Sequence, residues 1–218
     1  MTKLIFFFSF LYSILGFQTT NTKDLNDPNA KILLDAVTKA YKSYNSIQAN
    51  FSILTEYPQS KTQTLNGTLY LKAEKFKMIL GNQEIYCDKS TIWTYLKDNN
   101  EVQINDYEPS KTEISPANMF TIYQTDFNYT MNGDETISNI NYKVVDLMPK
   151  DKTKPYFKIR IWIDSKHNIK RLKVFDKNGT RYTYIVKSMD TSQKLDDSTF
   201  IFNAKNYPSG IHIEDLRL

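Results

Sequence analysis

The chain has 218 residues, and 28 Lys and Arg against 24 Asp and Glu leave a net charge of +4. A single Cys excludes an intramolecular disulfide framework or a Cys-rich zinc site, and two His leave little material for a metal or acid–base centre. A charged fraction of 24% is too low for a disordered chain, whereas 15 Tyr and 13 Phe favour strands and cavities.

In chain order, Lys3 and the apolar run from Leu4 to Phe17 come first. A bilayer span takes roughly 20 apolar residues, so this run is short for an anchor and suits the apolar region of a signal peptide. Residues 1–18 are therefore expected to be a signal peptide, with an uncleaved anchor as the alternative, and 19–27 a linker. No Cys stands directly after the run, so the chain does not read as a lipoprotein itself. Five of the 13 Phe (Phe6, Phe7, Phe8, Phe10 and Phe17) lie in this segment.

Asp27-Pro28 reads as an N-cap with Pro at the first helical position. Leu33, Val37, Ala40, Tyr41 and Tyr44 then share one helical face up to about Asn45. From there the period changes to two: Ile47, Ala49, Phe51, Ile53, Thr55 and Tyr57 alternate with mostly polar residues. Leu65, Gly67, Leu69 and Leu71 share a face of the next strand. Further short strands are expected at 76–80, 84–88, 91–96 and 101–106. Ser115-Pro116 opens a second helix carrying Met119, Phe120, Ile122 and Tyr123. Strands resume at 127–131, 142–148, 156–164, 169–176 and 181–189, and end with 200–203 and 211–215. Asp176-Lys177-Asn178-Gly179 is the clearest hairpin turn.

The absence of strand–helix alternation argues against a doubly wound sheet. The pattern predicts a mainly β chain with helices (α+β). Its core is one large, strongly curved sheet or open barrel of about 11 or 12 antiparallel strands, with helices against its concave side, over residues 28–218. Phe157, Ile159, Ile161 and Ile163 form an apolar face of one strand, opposite Tyr156, Lys158, Arg160, Trp162 and Asp164.

Chemistry-bearing patterns are scarce. Cys87 reads as an inert apolar thiol. His167 and His212 lie far apart, and no nucleophile motif accompanies them. There is neither a phosphate-binding loop nor a dinucleotide fingerprint. Asp196-Asp197 reads as a solvated turn or a short helix start rather than a metal site. The +4 balance is weak support for an anionic membrane surface or an acidic partner.

Several stretches in order resemble the periplasmic outer-membrane lipoprotein carrier family (LolA), especially its Bacteroidetes-type members. They are Ala49-Asn50-Phe51, Gly67-Thr68-Leu69-Tyr70-Leu71-Lys72, Lys75-Phe76-Lys77, and Asp88 through Ile92-Trp93-Thr94-Tyr95. Glu101 to Ile104, Ser115-Pro116 with Met119-Phe120, Leu147-Met148-Pro149-Lys150, the 176–179 turn and Pro208 to Ile211 follow. The resemblance covers about residues 28–217.

It implies an incomplete β-barrel of about 11 strands closed by helices, and a carrier that shields the acyl chains of lipoproteins, with no catalytic residues and no cofactor, acting in the periplasm as a monomer. It implies as partners acylated lipoproteins, an ATP-driven inner-membrane exporter and an outer-membrane acceptor. Phe76, Met78, Ile85, Met119, Phe120 and Ile122 match family cavity positions; strand phase adds Leu69, Leu71, Phe157, Ile159 and Ile161. The family's best-studied branch locks its lid with an Arg after the Gly-x-Leu strand. This chain has Lys72-Ala73-Glu74 there, so either a contact of Lys72 or Glu74 replaces it, without Arg's planar fork, or the lock is absent.

Overall fold

The computed structural model describes residues 26–107, 115, 116, 119, 121 and 123–217. The expected signal peptide, Phe120 and Ile122 lie outside the described residues. The helix α1 (Pro28–Ser43) starts where the sequence places it: the Asp27 carboxylate accepts from the amides of Asn29 and Ala30, and Pro28 follows. Its buried stripe is Ala30, Leu34, Val37 and Thr38, with Leu33 and Tyr41 partly buried. The face is thus turned toward Leu34 from the one centred on Leu33.

Twelve strands form one sheet: β1 (Ile47–Glu56), β2 (Gln63–Lys72), β3 (Lys75–Leu80), β4 (Gln83–Cys87), β5 (Thr91–Leu96) and β6 (Glu101–Asp106), then β7 (Phe127–Ile137), β8 (Ile140–Pro149), β9 (Tyr156–Ile163), β10 (Ile169–Asp176), β11 (Arg181–Asp190) and β12 (His212–Asp215). The short α2 (Tyr123–Asp126) precedes β7. The spatial order is β12-β6-β5-β4-β3-β2-β1-β11-β10-β9-β8-β7, so the sheet curls without closing. Neighbours are antiparallel except at the end, where β12 runs parallel to β6. The strand expected at 200–203 does not form: Phe200 closes a 3-10 turn over Asp197–Phe200, capped by Asp196, and 201–203 run on as irregular chain.

Alternation sorts each strand into a concave and a convex face. One core cluster packs α1 onto Val145, Leu147, Ile159, Ile161, Ile163 and Leu172. A second gathers Ile47, Ala49, Leu71, Phe76 and Cys87. Gly67 lets β2 sit close to its neighbours on either side. A β carbon there would lie 2.6 Å from the Phe51 ring and 2.8 Å from the Ile79 carbonyl oxygen. Beyond the sheet, Tyr123 donates to Asp35 at 2.7 Å and shares a hydrogen bond with Thr38, which ties α2 to α1.

The segment after β11 crosses the convex face of β3–β5. Phe200 is fully buried, and Phe202 and Tyr207 pack on Tyr86 and Tyr95. At the centre sits Glu84, which accepts from the hydroxyls of Tyr86 and Tyr207, each at 2.8 Å, and pairs with Lys97 at 3.0 Å. Burial raises its carboxyl, but hydrogen bonds from Tyr207, Tyr86 and Lys97 and the Lys77 charge hold it at about 2.

Candidate functional site

Where the two core clusters meet, the concave face leaves a cavity of about 300 Å³. The first half of the sheet contributes Ile47, Ala49 and Phe51 from β1, Leu69 and Leu71 from β2, and Met78 from β3. Across the β1–β11 seam, Leu172 and Val174 of β10 and Tyr184, Val186 and Met189 of β11 face them. Tyr41 of α1 and the residues Ser115, Pro116 and Met119 cover the space. No charged side chain is among these lining residues. The Tyr41 hydroxyl accepts from the Ile169 amide, and burial pushes its phenol above the ordinary value. The described lining is thus almost wholly apolar, with the tyrosine phenols and Ser115 as its polar members, and such a site suits apolar matter. Among the described residues no cluster of three or more His, Cys, Asp or Glu is placed to hold a metal.

The structure brings together four of the sequence-derived positions on the cavity wall: Leu69, Leu71, Met78 and Met119. Phe76 lies beneath the wall rather than on it. It is 3% exposed and packs edge-on against Tyr107. Ile85 is partly buried against the same cluster. Ile159 and Ile161 are buried under α1, in the neighbouring cluster.

Phe157 is a correction. It is 45% exposed on the convex face. The register runs from Phe175↔Lys158 to Asp176↔Tyr156, so Phe157 is the extra residue of a β-bulge. The bulge swaps phase, and Tyr156 packs against the core in its place.

The expected lid contacts are also placed differently. Lys72 donates to the Leu195 carbonyl and to Asp197, each at 2.9 Å, and Lys75 reaches the other Asp197 oxygen at 2.8 Å. Glu74 pairs with Lys89 at 3.4 Å on the surface. Lys72 therefore fastens the segment that leads to Phe200. Both lysines lower the Asp197 carboxyl to about 2, chiefly through these hydrogen bonds. Cys87 is fully buried, and burial pushes its thiol up to about 11.

Sequence reading missed the β1, β10 and β11 walls. Their signal was present in the alternation of Ile47, Ala49 and Phe51, and in Leu172 and Val174 set among Lys and Arg.

No curated protein matches the chain by sequence. Among solved structures, an uncharacterized conserved protein from Thermus thermophilus superposes with a TM-score of 0.58 at 14% identity, covering 86% of this chain and 99% of that one. A LolA superfamily protein from Nitrosomonas europaea gives 0.46 at 15% identity over 79% and 97% of the two chains. LprF from Mycobacterium bovis gives 0.43 at 13% identity over 78% and 96%. At these identities the first likeness is one of fold, and the other two carry no further weight. Residues 42–203 match the family described as outer membrane lipoprotein carrier protein LolA, most of the chain and all of the cavity's strand walls, and the protein belongs to that family.

Proposed function

We propose that the protein is a non-enzymatic periplasmic chaperone that takes acyl chains of lipoproteins into this cavity and carries them from the inner to the outer membrane. The observation that carries the reading is the apolar, uncharged cavity at the seam of a sheet whose family is named for lipoprotein carriage. In this reading an N-terminal signal peptide exports the chain, an ATP-driven inner-membrane complex loads it, and an outer-membrane acceptor unloads it.

Energetics suit such a role. A lipid anchor exposed to water loses roughly 0.8 kcal/mol for each methylene. Transfer from bilayer to protein cavity exchanges one apolar environment for another, so the net driving force is small. Loading then draws on work done upstream, and release needs no large reversal. Pro116 and Met119, which cover the cavity without belonging to the sheet, are the wall whose displacement would admit a chain.

The test is recovery of cargo. Purified protein is expected to co-isolate with lipidated lipoproteins and not with their unlipidated forms; equal recovery of both removes the reading. The modest cavity volume favours a second reading. It lies at the low end of the roughly 300–1,000 Å³ of small-molecule pockets and suits a length of one chain. A single-chain lipid or another hydrophobic ligand would fit as well. Mass spectrometry of ligands extracted from the protein separates the two.

A further inference from the structure

The bulge that expels Phe157 from the core builds something on the convex face. Phe157 packs against Phe175 with ring centroids 6.0 Å apart. The Arg181 guanidinium stands 5.6 Å from the Phe157 ring centre and 5.1 Å from that of Phe175. Lys158 and Lys173 approach Phe175 at 4.4 and 5.8 Å. Three cations thus surround two rings, one of them, Phe157, nearly half exposed.

The charge extends to the adjoining turns. Lys177 donates its amide to the Pro155 carbonyl and so joins the 176–180 turn to the 150–155 turn. These turns add Lys152, Lys154 and Lys177. The nearby carboxylates are engaged within the protein: Glu56 pairs with Lys173 at 2.8 Å, Asp176 accepts from the Asn178 amide, and Asp151 from Thr153. Arg181 donates to two neutral carbonyls, those of Asp176 and Thr180.

The patch lies at the end of the sheet where the concave face is open. Tyr184 is the one exposed residue among the described ones of the cavity wall, at 37%, and Ile53 pairs it in register with Leu65, 44% exposed. Gly179 packs close to Pro58, beside exposed Tyr57.

We propose that this end of the sheet docks on the surface of an anionic lipid bilayer, with Phe157 among the head groups and Arg181 and the lysines on the phosphates. An exposed aromatic ringed by cations is the combination that an anionic interface rewards. An acidic peptide is the poorer fit. β9, β10 and β11 have strand partners on both sides, so they offer no free backbone edge, and the face is convex rather than grooved. The patch itself is independent of the cargo; only its alignment with the cavity mouth rests on the carrier reading.

The experiment sediments the full chain with vesicles of phosphatidylcholine alone and of phosphatidylcholine mixed with phosphatidylglycerol. The N-terminal apolar run is common to every variant, so differences between variants report the patch. Wild type is expected to prefer the mixed vesicles and to lose that preference in high salt. F157S/R181Q is expected to weaken binding to mixed vesicles by at least about tenfold, at roughly fivefold for each basic residue plus the ring. Because Arg181 also braces a turn, K154Q/K177Q serves as a second variant, with a similar loss expected. Equal binding of wild type to both vesicle types, or wild-type binding by both variants, overturns the proposal. Capture by polyglutamate without vesicle binding overturns it in favour of an acidic protein. Binding of an alkyl probe in the cavity is read in parallel and is expected to be unchanged in both variants. Loss of probe binding in the wild type, with patch-dependent vesicle binding intact, would sink the carrier reading and leave this one standing.

Discussion

Ala49→Leu tests whether the cavity is both vacant and used. Ala49 is 7% exposed, lines the cavity from β1, and stands in register between Leu69 and Met189. A volume of about 300 Å³, at roughly 30 Å³ for each water-sized group, has room for about ten methylenes. Burying ten at about 0.8 kcal/mol each gives roughly 8 kcal/mol before the losses of association. Leucine adds three carbons and displaces about three of those methylenes. The expected loss is about 2.4 kcal/mol, or roughly fiftyfold in affinity for a long-chain alkyl probe. The same carbons enter empty space rather than packed core, so the free protein is expected to gain up to about 2 kcal/mol. The assay pairs titration of a fluorescent fatty acid with urea denaturation. Opposite movements of affinity and stability support the cavity as the chain-binding site. Greater stability with unchanged affinity would show that the chain sits elsewhere, and lower stability would show that the space is not free.

Other substitutions probe the walls and the straps. Phe76→Ala is expected to destabilise by about 3–5 kcal/mol in denaturant, because Phe76 is core, and Phe76→Glu to abolish soluble protein rather than only impair cargo handling. Gly67→Ala is expected to destabilise by about 1–3 kcal/mol. Adding Phe51→Leu should recover only part of that, since the Ile79 carbonyl remains in the way. Glu84 has a folded value of about 2 against its ordinary 4.5. Its contribution is therefore complete above pH 4.5 and lost as the pH falls through 2. Proteolysis within 197–207 should rise across that window in wild type, and E84Q should flatten the step. K72A/K75A is expected to return the Asp197 carboxyl toward its ordinary value and to raise hydrogen exchange around Phe200, with little change in global stability.

Much of this fold is legible in the sequence because period and capping are local. Asp27-Pro28 marks the start of α1, and the change of period at Ile47 marks the sheet. The order of motifs carries the family. Three particulars were hidden because they depend on non-local register. A bulge opposite Phe175 reverses the phase of Phe157, although the strand's alternation reads cleanly. Lys72 takes its partner from Asp197, more than a hundred residues away. β12 reads as one more short strand of an antiparallel series, yet it adds in parallel, with the His212 and Leu216 amides bonded to the Asn100 and Ile104 carbonyls. At the cavity, periodicity shows which side chains point inward. It does not show that α1 fills one half of the concavity and leaves the other open. Ile159 and Leu69 read alike in sequence, and only one of them borders the space.

The strand order has a kinetic consequence. β1–β6 and β7–β11 are runs of consecutive strands, each pairing with the next one in the chain. Such hairpins close short loops and assemble early. The seam is different: the outer edge of β1 must wait for β11, with Gln48 opposite Asp190 and Glu56 opposite Arg181. The cavity straddles that seam, so neither meander contains it alone. A chain emerging N-terminus first, from a ribosome or a translocation pore, can organise its first half well before β11 arrives. It has no enclosed space to offer a ligand until nearly the whole polypeptide is present. The binding site is thus among the last features to form, and an incomplete chain leaves both half-walls uncovered, as targets for proteases and chaperones.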